Sequence, residues 1–226
     1  DDFGISEIGI AYKIKEEYEQ RVTLQQFNRI LRQAQTSHTL MLENFWLADT
    51  DIVTYYAYAI DNDVVSGRHE ATSELYFIEI RPYGQRYREA PQMGGGGQQK
   101  QQNKKKGLVE KLDEMIEKQK KILSETFAID RAARRVMKYS EQQQMGLSNL
   151  ETRQDDLRQH LHTLGRNLTQ RLAQQRLYEH IDRLGQIGKA VDQMGLAVYM
   201  LGMFDSRNAY MYENQSLYHL SRAKRD

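Results

Sequence analysis

Residues 89–112 read EAPQMGGGGQQKQQNKKKGLVEKL, and this stretch decides how the rest of the chain is parsed. Four glycines run into a Gln/Lys tract, and a helical pattern begins at Leu108. A segment with so little apolar surface cannot offset the entropy of ordering it, so residues 91–107 are expected to be a flexible linker. At about 16 residues such a tether reaches ~20–25 Å on average, which would leave its two flanks close but free to reorient. Pro82 and Pro91, the only prolines, bracket its entry.

On the N-terminal side, residues 1–90 read as β. Ile8, Ile10, Tyr12 and Ile14 alternate with Gly9, Ala11 and Lys13, the period of a half-buried strand. Residues His38 to Glu43 form a second candidate. Ile52 to Ile60, IVTYYAYAI, is too apolar to have a wet face and reads as a central strand. Ser73 to Arg81 makes another, while Leu24 to Gln35 fits either a long loop or a helical insert. Short strands at this spacing predict an antiparallel β-sandwich.

On the C-terminal side, residues 108–226 read as helical. Leu108, Leu112, Met115, Ile122 and Ile129 share one face, and Gly146 marks a break. Leu150, Leu157, Leu161, Leu164, Leu168 and Leu172 form the next seam, then Leu177, Ile181, Leu184, Val191, Met194, Val198 and Leu201. Asp205 or Ser206 caps a last helix from about Ala209. Three or four antiparallel helices follow, as a closed bundle or an open array.

Charge divides at the same place. The 226 residues carry a net charge of +1, yet residues 1–90 hold 15 acidic and 9 basic side chains and the remainder holds 16 and 23. Cysteine is absent, which removes disulfide, thiol and Cys-metal chemistry and suits a cytosol or a bacterial periplasm equally. The longest apolar run, Met194 to Phe204, has 11 residues, whereas a spanning helix needs about 20. The opening Asp1-Asp2, without an initiator Met, is read as the start of a fragment of a longer protein.

Catalytic motifs fail one by one. Asp2-Phe3-Gly4 matches a kinase triplet, but no His-Arg-Asp loop precedes it. Gly94–Gly97 runs into Gln98, and Gly188-Lys189-Ala190 lacks the hydroxyl that would hold a nucleotide's magnesium ion. The lysines of the tract, Lys104–Lys106 among them, are too few and lack interleaved aromatics, so no nucleic-acid partner is expected. A weak acidic partner or a membrane surface stays open for them. Asp49/Asp51 and Asp61/Asp63 flank a strand ~30 Å long and cannot share an ion; turn chemistry explains them. No His-Glu-x-x-His or Glu-x-x-His occurs among the six histidines, and His160 and His162 point to different helix faces. Two Asn-x-Ser/Thr acceptor patterns, at Asn167 and Asn214, fall inside helical stretches. No catalytic residue, metal site or cofactor is assigned.

What remains are surfaces. Met194, Tyr199, Met203, Tyr210 and Tyr212 make an adaptable Met/Tyr-rich partner surface, or else a helix core. Trp46, with Phe45, Tyr55 and Tyr56, suggests aromatic ligand contacts on the sandwich, or else core packing.

Three stretches carry a family resemblance. "DDFGISEIGIAY" (1–12), "DTDIVTYYAYAIDND" (49–63) and "SELYFIEIRPYGQRYRE" (73–89) together resemble an immunoglobulin-like module. That module occurs in large, membrane-anchored, uncharacterised bacterial proteins, the domain-of-unknown-function 4175 group and its planctomycete-type relatives. The Gly/Gln tract, "LVEKLDEMIEKQKKILSETFAIDR" (108–131) and "ENQSLYHLSRA" (213–223) resemble segments of the same proteins. Thr50 stands where that group has Gly or Pro-Gly, and Asn28–Gln35 looks like an insertion. The resemblance implies an envelope location, a membrane anchor upstream, and further strands before Asp1, whose lack would leave Ile8–Ile14 as an unpaired edge. It implies no catalytic residues. The expectation is a non-enzymatic scaffold that binds other proteins, with a carbohydrate or cell-wall binding module as the alternative; the oligomeric state is open.

Overall fold

The structure is a computed structural model that describes residues 4–29, 31–63, 67–81, 99–134, 138–175 and 181–225. Five strands come first: β1 (Ile5–Ile14), β2 (Gln20–Gln26), β3 (Ile52–Asp61), β4 (Glu70–Thr72) and β5 (Tyr76–Glu79). Four helices follow: α1 (Gln99–Arg134), α2 (Glu141–Gln175), α3 (Ile181–Gly202) and α4 (Ser206–Arg225). Among the described residues the strands form one antiparallel sheet, ordered β2-β1-β3-β4, with β5 also on β3.

One face of β3 is covered along its length and the other over its first half, while Ala57 on that second face is exposed. Ile52, Tyr56, Tyr58 and Ile60 face the helices; Val53 and Tyr55 face the other way, toward Leu40, Leu42, Phe45 and Leu47. That second cover is why His38 to Glu43 is not a strand: the segment crosses the outer face and ends in a 3-10 turn, Leu42–Phe45. β1 lies between β2 and β3, so it is not an edge; the edges are β2 on one side and β4 with β5 on the other. The expected strand Ser73–Arg81 is shortened to β5: Ser73 donates its amide to the Ala57 carbonyl and accepts the Ala57 amide on its hydroxyl, both at 2.9 Å, and regular pairing resumes only at Tyr76. Gly9 is required by close approach: a Cβ there would lie 2.4 Å from the Tyr58 ring, which crosses β1 to bond Glu7 at 2.9 Å.

The helices close a bundle. Each packs on two others, and α4 returns to α1. Gln119 on α1 and Gln154 on α2 exchange hydrogen bonds at 3.0 and 2.9 Å. Arg183 Nε on α3 donates to the Ala223 carbonyl on α4 at 2.9 Å. Asp205 caps α4, accepting the Asn208 amide at 3.0 Å, so the helix starts at Ser206, earlier than Ala209. Gly146 does not break a helix. It lies inside α2, where Ile129 of α1 comes within 3.0 Å of its Cβ position. Within the expected linker, α1 already begins at Gln99, and residues 91–98 lie outside the described residues.

Sheet and bundle share one core, so the described parts do not behave as two bodies free to reorient. Ala11, Tyr56, Tyr58 and Leu75 belong to the same buried cluster as Phe127, Leu217 and Leu220. Tyr56 packs on Phe127 at 4.8 Å and Phe127 on Tyr210 at 5.6 Å. Thr50 holds a left-handed φ of 71°, where glycine would fit without strain, and spends its hydroxyl on the Ser221 carbonyl at 2.9 Å.

Between α1 and α4 the core is crossed by polar rungs: Ser216 to Gln119, Thr126 to Glu213 at 2.8 Å, and Ser206 to Asp130 at 3.2 Å. Glu213 is fully buried and its Oε2 has no hydrogen-bond partner. Burial pushes its carboxyl up to about 8 from 4.5, against the lowering effect of the Thr126 hydrogen bond. The folded state therefore holds the proton more tightly than the unfolded chain does. The resulting stabilisation is complete below pH 4.5 and is lost as pH rises to about 8. Glu213→Gln keeps the shape and removes the ionisation. Urea unfolding of the variant should be flat over this window while the wild type weakens, the gap reaching on the order of 3 kcal/mol by pH 8.

Candidate interaction surface

The Met/Tyr-rich residues separate by depth. Met194 is fully buried in the bundle core and cannot meet a partner, because it sits on the face of α3 turned toward the other helices. Tyr210 packs half-buried against the joint core, and Tyr212 is half-buried on α4. Tyr199 and Met203 are 62% and 63% exposed. Leu196 and Phe204 are exposed beside them, although the sequence reading did not single them out. The missed signal was spacing: Leu196, Tyr199 and Met203 step by three and four, and therefore share one outward stripe.

Followed toward the N-terminus of α3, the stripe runs through exposed Asp192, Gly188, Gly185 and Ile181. Gly202 is the tightly placed glycine of this helix, with Glu151 of α2 within 3.0 Å of its Cβ position, whereas Arg158 meets that of Gly195 at an ordinary contact distance of 3.8 Å. Gly185 and Gly188 face open space. Beside Gly188, between α2 and α3, lies a groove of about 440 Å³ lined by Gly165, Leu184, Ile187, Val191 and Asp192.

Of the four aromatics expected as ligand contacts, Trp46 alone projects freely; Tyr18, in the β1–β2 turn and not singled out from the sequence, is equally exposed. Tyr56 is in the core, Phe45 packs edge-on to Tyr12 at 5.6 Å, and Tyr55 stacks on Tyr76 at 5.5 Å. Trp46 is 91% exposed, at a left-handed φ of 46°, and Lys15 Nζ holds its carbonyl at 2.8 Å. The outer sheet face also carries a groove of about 860 Å³ over Ile8, Ile10, Leu24, Ala57 and Ala59.

The charged clusters are structural. Asp51 is buried and accepts the Ala48 amide at 2.8 Å; Asp61 accepts the amides of His69 and Asp63 at 2.9 and 3.2 Å. Both are turn devices. Among the described residues no group of three or more His, Asp or Glu side chains is placed to hold a metal ion. At the sheet–helix seam Arg131 stacks between Tyr56 and Phe127, with its carbon 4.6 and 4.9 Å from the ring centres. It donates to the Tyr56 hydroxyl at 2.5 Å and to Glu70 at 3.2 Å, and Tyr56 donates to Glu19 at 2.7 Å. Burial, then the bond to Glu19, raises the Tyr56 hydroxyl far above its ordinary range, so it stays a neutral donor. Lys120 of α1 bridges Glu79 and Glu117 in the same way, further along the seam.

Comparison with protein-family models, curated proteins and solved structures found no match to the chain. No described helix is long and apolar enough to cross a membrane.

Arg131→Met should strip the Tyr56 hydroxyl and Glu19 of their cation, while Glu70 keeps Arg21 and the apolar stem is kept. An expected loss of about 2 kcal/mol, read as a lower urea midpoint, follows from losing the stacked cation and leaving the partly buried Glu19 without its countercharge. A loss below ~0.5 kcal/mol would show that the seam rests on apolar packing alone.

Proposed function

We propose that this chain is a non-enzymatic scaffold that binds other proteins through the outward face of α3. The observation carrying this reading is the exposure of Leu196, Tyr199, Met203 and Phe204 together at one end of a helix whose other sides are packed. Clustered exposed apolar side chains, Met and Tyr above all, favour a contact surface. The charged clusters, by contrast, are spent on turns and on the seam.

The family resemblance extends the proposal. Under it the protein belongs to the membrane-anchored envelope group, its anchor precedes this region, and the region faces the periplasm. Residues 1–90 would then be an immunoglobulin-like module. The apolar groove on the outer sheet face supports that finer reading, since a second sheet laid there would cover Ile8, Leu24, Ala57 and Ala59.

Photo-crosslinking from position 199 in cells of the source organism, with position 148 on exposed α2 as control, tests the scaffold reading. Position 199 should give a discrete crosslinked species. If both positions give the same diffuse products, this face is no contact surface.

Trp46 favours a second reading, a carbohydrate or cell-wall binding module, because an aromatic ring held out in water suits stacking on a sugar. As the only tryptophan, it reports its own contacts. Titration with soluble cell-wall glycan fragments should change its fluorescence saturably if this reading holds; no change at millimolar glycan rules it out.

A further inference from the structure

Gly185 and Gly188 are the least explained residues of α3. A glycine inside a helix costs roughly 1 kcal/mol relative to alanine. Both sit on the exposed side of the helix, and among the described residues nothing lies within 4 Å of where their Cβ atoms would be. The described residues give no reason for a missing side chain there. A second helix in close approach does.

The same face is self-complementary. Its N-terminal half is small and hollow: Gly185, Gly188 and the groove of about 440 Å³ between α2 and α3. Its C-terminal half is bulky and prominent: Leu196, Tyr199 and Met203. Between the halves lie Lys189 and Asp192, both exposed, and neither forms an ion pair or hydrogen bond within the described residues.

We infer that a second copy of this chain docks on the outward face of α3, the two α3 helices pairing antiparallel about a two-fold axis beside Asp192. In that register Leu196 of one copy lies against Gly188 of the other, Tyr199 against Gly185, and Met203 against Ile181. Leu196 and Tyr199 each meet a glycine hollow, Met203 packs on the exposed Ile181, and the symmetry makes every contact twice. In this register Lys189 stands opposite Gly195 of the other copy, about 4.5 Å along the axis from that copy's Asp192 and within reach of it. The two aspartates that meet near the axis are thereby each countered by a lysine, which fixes the register. The opposite, parallel pairing would set bulk on bulk and glycine on glycine. The 22-residue helix offers a contact ~33 Å long, at the small end of specific interfaces, so the dimer is expected in the micromolar range. This inference rests on α3 being a contact face and adds the identity of the partner.

Sedimentation velocity of the 226-residue chain from ~1 to ~500 µM tests it. The wild type should pass from monomer to dimer. Gly188→Gln fills the hollow with a helix-favouring side chain; it should weaken dimerisation at least tenfold while its unfolding midpoint stays level or rises. Lys189→Asp and Asp192→Lys should each weaken the dimer roughly tenfold, and the double exchange should restore it to within about threefold. A wild type that remains monomeric throughout overturns the inference. So does a double exchange no tighter than the single variants. If the chain is monomeric yet position 199 crosslinks a different polypeptide, the dimer falls and the contact-face reading stands; if neither association is seen, both fall.

Discussion

Everything in this structure leans on α4. It closes the helical bundle against α1 and α3, and its other side faces the strands, where Thr50 holds the Ser221 carbonyl. A helix enclosed on all sides is ordinarily apolar all round. α4 is not: Glu213, Asn214, Ser216, His219 and Ser221 are buried along with Leu217 and Leu220. Most of these side chains have a partner on the element they face, whereas the Ser221 hydroxyl bonds the Tyr218 carbonyl of α4 itself. Ser216 looks to α1, and Glu213 to Thr126. His219 lies between Gln186 of α3 and Glu16 of the β1–β2 turn, at 2.8 and 3.1 Å, with its imidazole pushed toward the neutral form by burial. Such rungs contribute little net energy but penalise any other alignment, because slipping by one turn would leave several buried groups unpaired.

That constraint explains why sheet and bundle are one body. The face of β3 that carries Tyr56 and Tyr58 finds its second layer in α1 and α4. Arg131 then ties the seam's edge by stacking and by hydrogen bonds, which suits a guanidinium better than an ammonium. Once these demands are met, the unexplained features are few. They are the outward face of α3, the projecting Trp46, and the apolar groove over the outer sheet face. All three present apolar or aromatic side chains to solvent.

Much of the fold was legible because its signals are local. The alternation in Ile8–Ile14 and the two-sided apolar run of β3 read as a strand pair, and these two strands do pair, with Tyr12 opposite Tyr55. Leu150, Leu157, Leu161, Leu164 and Leu168 of α2 and Val191, Met194 and Leu201 of α3 fall on the buried faces, whereas Ile181 of the same expected seam is exposed and Leu177 lies outside the described residues. The errors came from residues whose meaning lies elsewhere in space. Leu40 and Leu42 look like strand residues, yet they serve as cover for the outer sheet face. Gly146 looks like a helix end, yet it makes room for Ile129. Met194 and Tyr199 differ by five positions and look alike in composition, but that offset turns them to opposite sides of α3.

By itself the sequence determined the order of strands then helices, the strand and helix periods, and the lack of any thiol chemistry. These follow from side-chain chemistry and from regular spacing along the chain. Tertiary structure alone decided that the sheet shares the bundle's core, that α4 buries a polar face, and which half of the Met/Tyr-rich segment meets solvent. Those outcomes depend on which surfaces meet, and a contact between residues more than a hundred positions apart, such as Thr50 with Ser221, leaves no mark in the local pattern of either.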